Sequence, residues 1–408
     1  MCASYNFNKR DCIMKDCIRI ERPEQCCGCG ACQNACAVRA ITMKEDAAGF
    51  IYPAVDESLC VSCGRCKAVC VFEKAGVGAN ERCAVYAASS RDRDVLMQSS
   101  SGGIFTELAR AVLKKGGAVF GAAWTDEMTV QHILAESEAD LAKLRGSKYV
   151  QSQTGDCFAQ VKKLLQGGRY VLYSGTPCQI AGLKAFLGKD DERLVTADII
   201  CHGVPSMKML RDDLTHVSNQ PLDALQNVRF RDKRFGWGVK GSYTAGGKTV
   251  KYSADNSPYY FYFLKGEVYR ESCYRCRFPS EGRQGDLTLG DYWGVRHELI
   301  EQMGAPDPDK GISCILVNSE KGENWLKEIA PALALAQSDR KSAEKRNHQL
   351  TAHSEKLPEH ETLLRGYIEN GWDALRGGYK KHTKDHIVRT VKNLIPAKIK
   401  RKLNDLRG

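Results

Sequence analysis

Two runs of cysteine carry the clearest chemical signal in this sequence. Each run has the spacing C-x2-C-x2-C-x3-C, and together they comprise Cys26, Cys29, Cys32, Cys36, Cys60, Cys63, Cys66 and Cys70. A thiolate is a soft ligand that suits zinc, copper and iron–sulfur clusters. Three thiolates two residues apart can bind one metal centre from a single tight loop, and the fourth ligand then comes from elsewhere. The repeat therefore predicts two metal centres within residues 25–80.

This spacing resembles that of bacterial ferredoxins, which bind two 4Fe–4S clusters and in which the fourth cysteine of each run ligates the other cluster. The resemblance implies that Cys70 completes the set of the first run and that Cys36 completes the set of the second. Zinc is the alternative, but zinc sites usually draw on C-x2-C pairs separated by a long loop. Ferredoxins usually have proline after the fourth cysteine, whereas Ala37 and Val71 stand there. Residues 49–53, between the runs, are predicted to form a hairpin strand beneath the clusters.

Four further cysteines lie in the body of the chain. Cys178 and Cys201 each follow a predicted strand, and Cys273 and Cys276 form one C-x2-C pair. Ligands commonly collect at the carboxyl ends of the strands of an open α/β sheet, so these four thiols can supply one site. A lone cysteine is more often a small core residue, and a lone C-x2-C leaves zinc and redox roles open.

Six motifs over residues 81–325 resemble the beta subunit of coenzyme F-420 hydrogenases and dehydrogenases, and they occur in the order of that family. They are Ser101-Gly102-Gly103, Gly146-Ser147-Lys148-Tyr149, Gly175-Thr176-Pro177-Cys178-Gln179, Cys201-His202-Gly203, Cys273-Tyr274-Arg275-Cys276 and residues 285–291. The resemblance implies a flavoprotein core that carries FAD, with a third 4Fe–4S cluster at Cys178, Cys201, Cys273 and Cys276. It also implies that the ferredoxin-type module exchanges electrons with the flavin.

A serine- and glycine-rich loop, residues 99–103, precedes a predicted helix that runs to about Lys115. Serines there can cap the first turn, and glycines let a diphosphate approach the free amides, where the helix dipole favours negative charge. The loop alone fits a capped helix without a ligand. With the resemblance, we expect Ser101, Gly102 and Gly103 to contact a flavin phosphate. Lys148 and Tyr149 are candidate partners for the diphosphate and the ring, the alternative being a surface lysine beside a half-buried tyrosine.

Residues 229–238 interleave basic and aromatic side chains. Such a run can stack on single-stranded nucleic acid, line an anionic pocket or form a solvated hairpin. The formal net charge is +11, but residues 379–408 hold ten Lys or Arg against two acidic residues. The rest of the chain is therefore nearly balanced, which disfavours a nucleic-acid partner. We predict an anionic pocket instead.

The basic tail also has apolar residues at helical spacing, such as Ile387, Val391 and Leu394. A basic amphipathic helix can lie on an anionic membrane surface, so one hypothesis is peripheral contact with the inner face of the membrane. The alternative is a helix that packs on its own domain or frays in solvent.

The composition excludes two classes of protein. The start of the chain has no secretory signal, and no run approaches the roughly 18 apolar residues of a membrane helix. Clustered cysteines in a reducing cytoplasm indicate metal or redox chemistry rather than disulfides. Seven of the 19 cysteines are interpreted as non-ligands: Cys2, Cys12, Cys17, Cys27, Cys83, Cys157 and Cys314.

The predicted fold is an α+β ferredoxin-type module, followed by an α/β flavoprotein domain and a helical, basic C-terminal tail. The expected divisions are a polar leader (1–24), the module (25–80), the two parts of the flavin domain (81–165 and 166–330) and the extension (331–408). Buried strands are predicted at 118–124, 170–173, 196–200 and 312–317 from their apolar runs.

The predicted function is that of a cytoplasmic iron–sulfur flavoprotein oxidoreductase of an anaerobic pathway. Electrons would pass between 4Fe–4S clusters and FAD, and the substrate would be a small molecule or the deazaflavin coenzyme F-420. The alternative is an electron-transfer subunit of a larger redox complex whose partner does the substrate chemistry. The sequence identifies no catalytic acid or base, electron-donor protein or oligomeric state, and His202 is assigned a structural role.

Overall fold

The structure is a computed structural model, and it describes residues 16–72, 84–279 and 282–381. Three of the cysteines interpreted as non-ligands lie outside the described residues, namely Cys2, Cys12 and Cys83. The hypothesis about an amphipathic tail also falls outside them, because the description ends at residue 381. In the described part of the chain, no helix has the length and apolar character needed to cross a membrane.

The N-terminal module is built on a two-stranded antiparallel hairpin, β1 (Ile41–Glu45) and β2 (Ile51–Val55). Each cysteine run contains one short helix, α1 (Ala31–Ala35) in the first run and α2 (Arg65–Ala68) in the second. Gly30 and Gly64 precede these helices with φ of 77° and 70°, a conformation that glycine adopts without steric cost. The sequence repeat has therefore folded as a structural repeat, and the strand predicted between the two runs is confirmed in β2.

The body is organised on an eight-stranded mixed sheet with the strand order β13-β3-β12-β11-β7-β6-β4-β5. Its strands are β3 (Ala84–Ser90), β4 (Ala118–Trp124), β5 (Val130–Ala135), β6 (Val171–Gly175), β7 (Leu194–Ile199), β11 (Leu287–Asp291), β12 (Ser313–Val317) and β13 (Leu333–Ser338). Strands β4, β6, β7 and β11 run parallel, so their carboxyl ends meet at one edge. All four predicted strands are confirmed, three of them with bounds shifted by one or two residues.

Twelve further α-helices accompany the sheets in the described residues. They are α3 (Arg93–Gln98), α4 (Ile104–Lys114), α5 (Glu138–Leu144), α6 (Cys157–Gln166), α7 (Pro177–Leu187), α8 (Met207–Ser218), α9 (Pro258–Lys265), α10 (His297–Gln302), α11 (Glu320–Ile329), α12 (Arg340–Glu344), α13 (Glu359–Asn370) and α14 (Trp372–Lys381). A small antiparallel sheet has the order β10-β9-β8. Its strands are β8 (Gln226–Arg229), β9 (Gly241–Ala245) and β10 (Lys248–Tyr252).

The expectation that residues 331–408 are helical is wrong for β13. This strand pairs antiparallel with β3, so that Leu335 lies opposite Ala88 and Leu333 opposite Ser90. Alternating Leu and Ala favour a helix by local propensity. Pairing with a sheet edge and burial of Ala334 and Ala336 override that weak preference.

The N-terminal module and the body share their hydrophobic cores. Phe50 of the module packs in the same cluster as Tyr260 of α9, and Cys29 and Ala31 pack with Ile180 of α7. Polar contacts reinforce the junction, since the Ser206 hydroxyl donates to the Ala48 carbonyl at 2.6 Å. The two cysteine-rich regions are therefore held in a fixed relation to each other.

Candidate functional site

The first cysteine set brings together the four thiols that the ferredoxin resemblance implies. Burial raises the pKa of Cys32, and the neighbouring thiols of Cys29, Cys26 and Cys70 raise it further. Burial also raises the pKa of Cys26, again with contributions from Cys29 and Cys70. Cys70 comes from the second run, so a thiol of that run lies beside thiols of the first run, as the ferredoxin resemblance implies.

Three thiols of the second set also lie close together. Cys36, Cys60 and Cys66 pack in one small cluster with Ile41. Backbone amides point at sulfur in both sets: Ala40 N–H donates to Cys36 Sγ at 3.2 Å, and Ile18 N–H donates to Cys66 Sγ at 3.2 Å. In the first set, Gly28 N–H donates to Cys26 Sγ at 3.3 Å. Such N–H···S bonds stabilise a thiolate, so these residues fit an iron–sulfur cluster.

The third set forms at the carboxyl edge of the main sheet, as the sequence predicts. Cys178 lies in the first turn of α7 after β6, and Cys201 follows β7. Cys273 lies in the short 3-10 helix Glu271–Arg275, and Cys276 follows that helix. Burial raises the pKa of Cys201, and the thiols of Cys273, Cys178 and Cys276 raise it further. The four thiols therefore lie close together at one end of the body.

Local sequence explains how Cys178 is placed. Thr176 and Gln179 form a capping box at the start of α7, and Pro177 occupies its first position, a combination that begins helices sharply. The Thr176 hydroxyl lies 3.1 Å from the Cys178 sulfur. The interaction of Cys178 with the Cys27 thiol, and next that with Thr176, lowers the pKa of Cys178 to about 7. A thiol with a lowered pKa is more readily present as the thiolate that ligates metal.

No group of three or more His, Cys, Asp or Glu side chains in the described ranges is arranged to hold a single metal ion. A four-iron cluster is wider than one ion, so its ligands stand further apart than those of one zinc.

Sequence reasoning missed the position of Cys27. Its thiol lies next to those of Cys29 of the first set and Cys178 of the third, and the interaction with Cys27 lowers the pKa of both neighbours. Cys27 therefore lies between the two sets. Its adjacency to Cys26 in the sequence was the available signal.

A cavity of about 340 Å³ extends from the third cysteine set along the carboxyl edge of the sheet. Cys178, Cys201, Cys273 and Cys276 line it, as does the loop 99–103 with the start of α4. Its walls also include Lys148, Tyr149, His202, Asp291 and Trp293, and apolar side chains such as Ile200, Phe278 and Leu289. The candidate phosphate loop and the candidate third cluster site thus open into one space.

The prediction that serines cap α4 is wrong. The cap is Gly103, with φ of 87° and no side-chain hydrogen bond. The three serines of the loop are engaged elsewhere: Ser99 Oγ donates to the Val95 carbonyl (2.7 Å), Ser101 Oγ donates to the Ile312 carbonyl (3.0 Å), and Ser100 Oγ accepts from Ser147 N–H (2.7 Å). Gly103 and the first residues of α4 line the cavity, and free amides at a helix N-terminus fit an anionic group.

Gly102 has a packing role in this loop, and its predicted contact with a flavin phosphate stays a prediction. A Cβ atom at this position would lie 2.3 Å from the Ala88 carbonyl oxygen and 2.8 Å from Ser313 N. Only glycine lets the loop pass so close to β3 and β12. The loop is thereby fixed before any ligand binds.

Lys148 and Tyr149 both line the cavity, and Lys148 is not a surface lysine. Its Nζ donates to three carbonyls at the end of α5, those of Lys143, Leu144 and Arg145, at 3.2, 3.0 and 3.0 Å. Burial lowers the pKa of Lys148 to about 7. The Tyr149 ring stacks on Phe263, with 4.6 Å between centroids.

The run 229–238 packs behind the cavity wall and supplies none of the residues that line the cavity, so the prediction that it lines an anionic pocket is wrong. The alternative of a solvated hairpin is also wrong, because Arg231, Asp232 and Lys233 are buried. Buried Arg231 pairs with Asp291 at 2.7 Å, and Trp237 Nε1 donates to the same carboxylate at 3.0 Å. Lys233 Nζ donates to the Ser101 carbonyl at 2.6 Å. The basic residues therefore hold the loop and Asp291 in place, whereas Asp291 and Trp293 supply the lining.

Comparison with known proteins gives three matches to family models. Two of them describe the beta subunit of coenzyme F-420 hydrogenase/dehydrogenase: the model of its N-terminal part matches residues 85–157, and the model of its C-terminal part matches residues 168–342. A "4Fe-4S dicluster domain" model matches residues 25–74.

Two individual proteins are also similar to the chain. The curated F subunit of the F(420)H(2) dehydrogenase of Methanosarcina mazei is 22% identical over 335 residues, which is 78% of this chain and 86% of that protein. A chain in a solved structure of the F-420-reducing nickel–iron hydrogenase complex of Methanosarcina barkeri is 18% identical, with a TM-score of 0.43. The match covers 74% of this chain and 92% of that one. This TM-score is too low to establish a shared fold.

Proposed function

This chain belongs to the family of beta subunits of coenzyme F-420 hydrogenases and dehydrogenases and carries a 4Fe-4S dicluster domain, and from this premise we propose that it is an iron–sulfur flavoprotein oxidoreductase. Its substrate is a small redox molecule or coenzyme F-420 itself. One observation carries the proposal: a single cavity joins four clustered thiols to an uncapped helix N-terminus.

The residues that would hold each cofactor follow from the site. Two ferredoxin-type 4Fe–4S clusters would be held by Cys26, Cys29, Cys32 and Cys70, and by Cys60, Cys63, Cys66 and Cys36. A third would be held by Cys178, Cys201, Cys273 and Cys276. When bound, the clusters would supply single electrons, and FAD would exchange one electron or two.

The chain's own residues prepare the flavin site in two ways. The amides of Gly103 and Ile104 and the dipole of α4 favour a diphosphate, while Lys148 adds a buried positive charge at the same cavity. Phe263 supports Tyr149, which presents an aromatic wall. Ile200 and Leu289 exclude water from the space next to the third cysteine set.

A second candidate function is supported by the curated relative, which is a subunit of an F(420)H(2) dehydrogenase. In that case the chain passes electrons within a larger complex, and a partner protein carries out the substrate chemistry. A cytoplasmic location and an anaerobic pathway are part of the proposal in either case. Contact of the basic tail with a membrane surface is a separate proposal, which deletion of residues 382–408 and a liposome sedimentation assay would test.

The experiment is an anaerobic electron-transfer assay on the full chain. Purified protein is mixed with reduced F-420 or with a reduced viologen dye, and bleaching of the flavin and cluster absorbance is followed. We expect rapid bleaching by at least one donor, loss of the third cluster's share of the absorbance change in C178S, and normal behaviour in C314S, because Cys314 is buried in β12. Bleaching by the dye but not by F-420 favours electron transfer within a larger complex. A fully loaded protein that neither donor reduces contradicts the proposal.

A further inference from the structure

Arg270 is a buried cation between the first and third cysteine sets. Its side chain is fully buried, with 0% of its surface exposed. It directly precedes the 3-10 helix that carries Cys273, and its Nε donates to the Cys26 carbonyl at 2.6 Å. One side chain therefore connects the loops of two candidate cluster sites.

The contacts of the guanidinium are neutral. Nη1 donates to Gln151 Oε1 at 3.0 Å, and the guanidinium carbon lies 4.0 Å from the centre of the Tyr52 ring. Nη2 has no hydrogen-bond partner among the residues that the structure describes. The adjacent carboxylate, Glu271, is already paired with Lys356 at 3.1 Å and with His360 at 2.8 Å.

A buried charge without a counter-charge is strongly destabilising, so an anion is expected beside Arg270. By contrast Arg283, which acts on Cys276, is paired with Asp198 at 3.1 Å. The thiols of Cys26, Cys178 and Cys273 lie close enough to Arg270 to be affected by its charge, and each can become a negative thiolate. Burial raises the pKa of Cys26, and the Arg270 charge is the strongest effect opposing that rise; the same charge also acts on Cys178 and Cys273.

We propose that Arg270 is a positioning residue that balances the charge of the clusters at the first and third cysteine sets and raises their reduction potentials. This inference rests on the proposed function. Four thiolates outweigh the positive charge of the iron–sulfide cube, so a ligated cluster is an anion and becomes more negative on reduction. A fixed positive charge beside it favours the reduced form, and net charge is one of the determinants of cluster potential. Arg270 would thereby raise the reduction potentials of the clusters that the two cysteine sets would hold.

The second cysteine set serves as an internal reference. Cys66 is affected by burial and by groups of its own module, such as Ile18 and Cys17. The cluster at this set is therefore expected to keep its potential when Arg270 is changed. A general destabilisation of the fold would instead change the potentials of all three clusters.

The test is a redox titration of each cluster, followed by electron paramagnetic resonance, in the full-length wild type and in R270Q, R270K and Q151E. R270Q removes the charge. Q151E keeps Arg270 but places a carboxylate on its Nη1, which cancels the charge in place. We expect R270Q and Q151E to weaken reduction of two clusters at least tenfold, about 59 mV for a one-electron couple, and to leave the third unchanged. R270K keeps the charge and should stay nearer to the wild type.

R275M is the matched control, because Arg275 lies in the same 3-10 helix but its side chain is 70% exposed, so solvent screens its charge. Wild-type potentials in loaded R270Q, or equal shifts in all three clusters, would overturn the proposal. If R270Q fails to load clusters, unchanged potentials in loaded Q151E overturn it instead. Failure of the proposed function is visible separately, since the wild type itself would then lack a third cluster signal.

Discussion

A Cβ atom on Gly182 would lie 2.9 Å from Sγ of Cys29, so helix α7 and the first cysteine loop are in direct contact. Helix α7 also carries Cys178, four residues before Gly182. One helix therefore ties a thiol of the third set to a thiol of the first. The small size of residue 182 is what lets the module approach the body so closely.

The variant G182A is expected to disturb the first cysteine set. A thiol that ligates iron is not free to rotate away, so the added methyl group must displace the loop, at a cost of about 1–3 kcal/mol. We expect lower iron content and a lower free energy of unfolding. G377A is the control, because a Cβ atom there would meet nothing within 4 Å. Equal iron content in G182A and G377A would show that the contact is unimportant.

Adjacent cysteines should differ sharply in their effect on iron content. Cys26 belongs to the first set, whereas Cys27 lies between the first and third sets and is assigned to neither. C26S is therefore expected to lose one cluster, about four iron per chain, and C27S to retain its full iron content. Iron and acid-labile sulfide in anaerobically purified protein measure the difference. Loss of four iron in C27S would make Cys27 a ligand and would displace one of the assigned thiols.

Flavin binding should weaken as the pH rises above 7. Burial lowers the pKa of Lys148 to about 7, and an anionic diphosphate binds the protonated form better. The affinity for flavin is then constant below pH 7. Above pH 7 it falls by up to tenfold per pH unit. It levels off once the pH exceeds the pKa of Lys148 in the flavin-bound state, which the diphosphate raises. Burial also lowers the pKa of Lys233 to about 7, but this lysine lies behind the loop 99–103.

Fluorescence of released flavin between pH 6 and 9 measures this dependence. K148Q should bind more weakly at low pH and lose most of the slope. K143Q is the control, since the Lys143 side chain is 60% exposed and pairs with Asp140. A slope in K148Q equal to that of the wild type would remove Lys148 from the flavin site.

The buried ion pair of Arg231 and Asp291 should contribute strongly to stability. In D291N, Arg231 loses the carboxylate that lies 2.7 Å away, which leaves a buried positive charge with reduced compensation. We expect the free energy of unfolding to fall by about 3–5 kcal/mol, as measured by denaturant titration. E323Q breaks an exposed helix pair with Lys327 and should cost less than about 0.5 kcal/mol. Similar costs for the two variants would contradict the assigned role.

Local patterns in the sequence were enough to predict several parts of this molecule. The cysteine spacing predicted two sets in one module, and apolar runs predicted the strands that place Cys178 and Cys201 at one edge. These features depend on residues close together in the chain, whose periodicity is visible.

The features that sequence reasoning missed depend on contacts between distant residues. Ser101 bonds to Ile312 instead of capping α4, and β13 forms because an edge of β3 is available. The contact of Arg270 with Cys26 spans 244 positions. No local pattern records such partners, because many arrangements of the same side chains satisfy the same propensities.

Iron, acid-labile sulfide and flavin measured on one anaerobic preparation test most directly whether three cluster-binding thiol sets and a flavin share this chain. We expect about twelve iron, about twelve sulfide and one FAD per chain, since each 4Fe–4S cluster holds four iron and four sulfide. About eight iron would contradict the third set at Cys178, Cys201, Cys273 and Cys276. About eight iron without flavin would leave a ferredoxin-type module joined to a domain of another function.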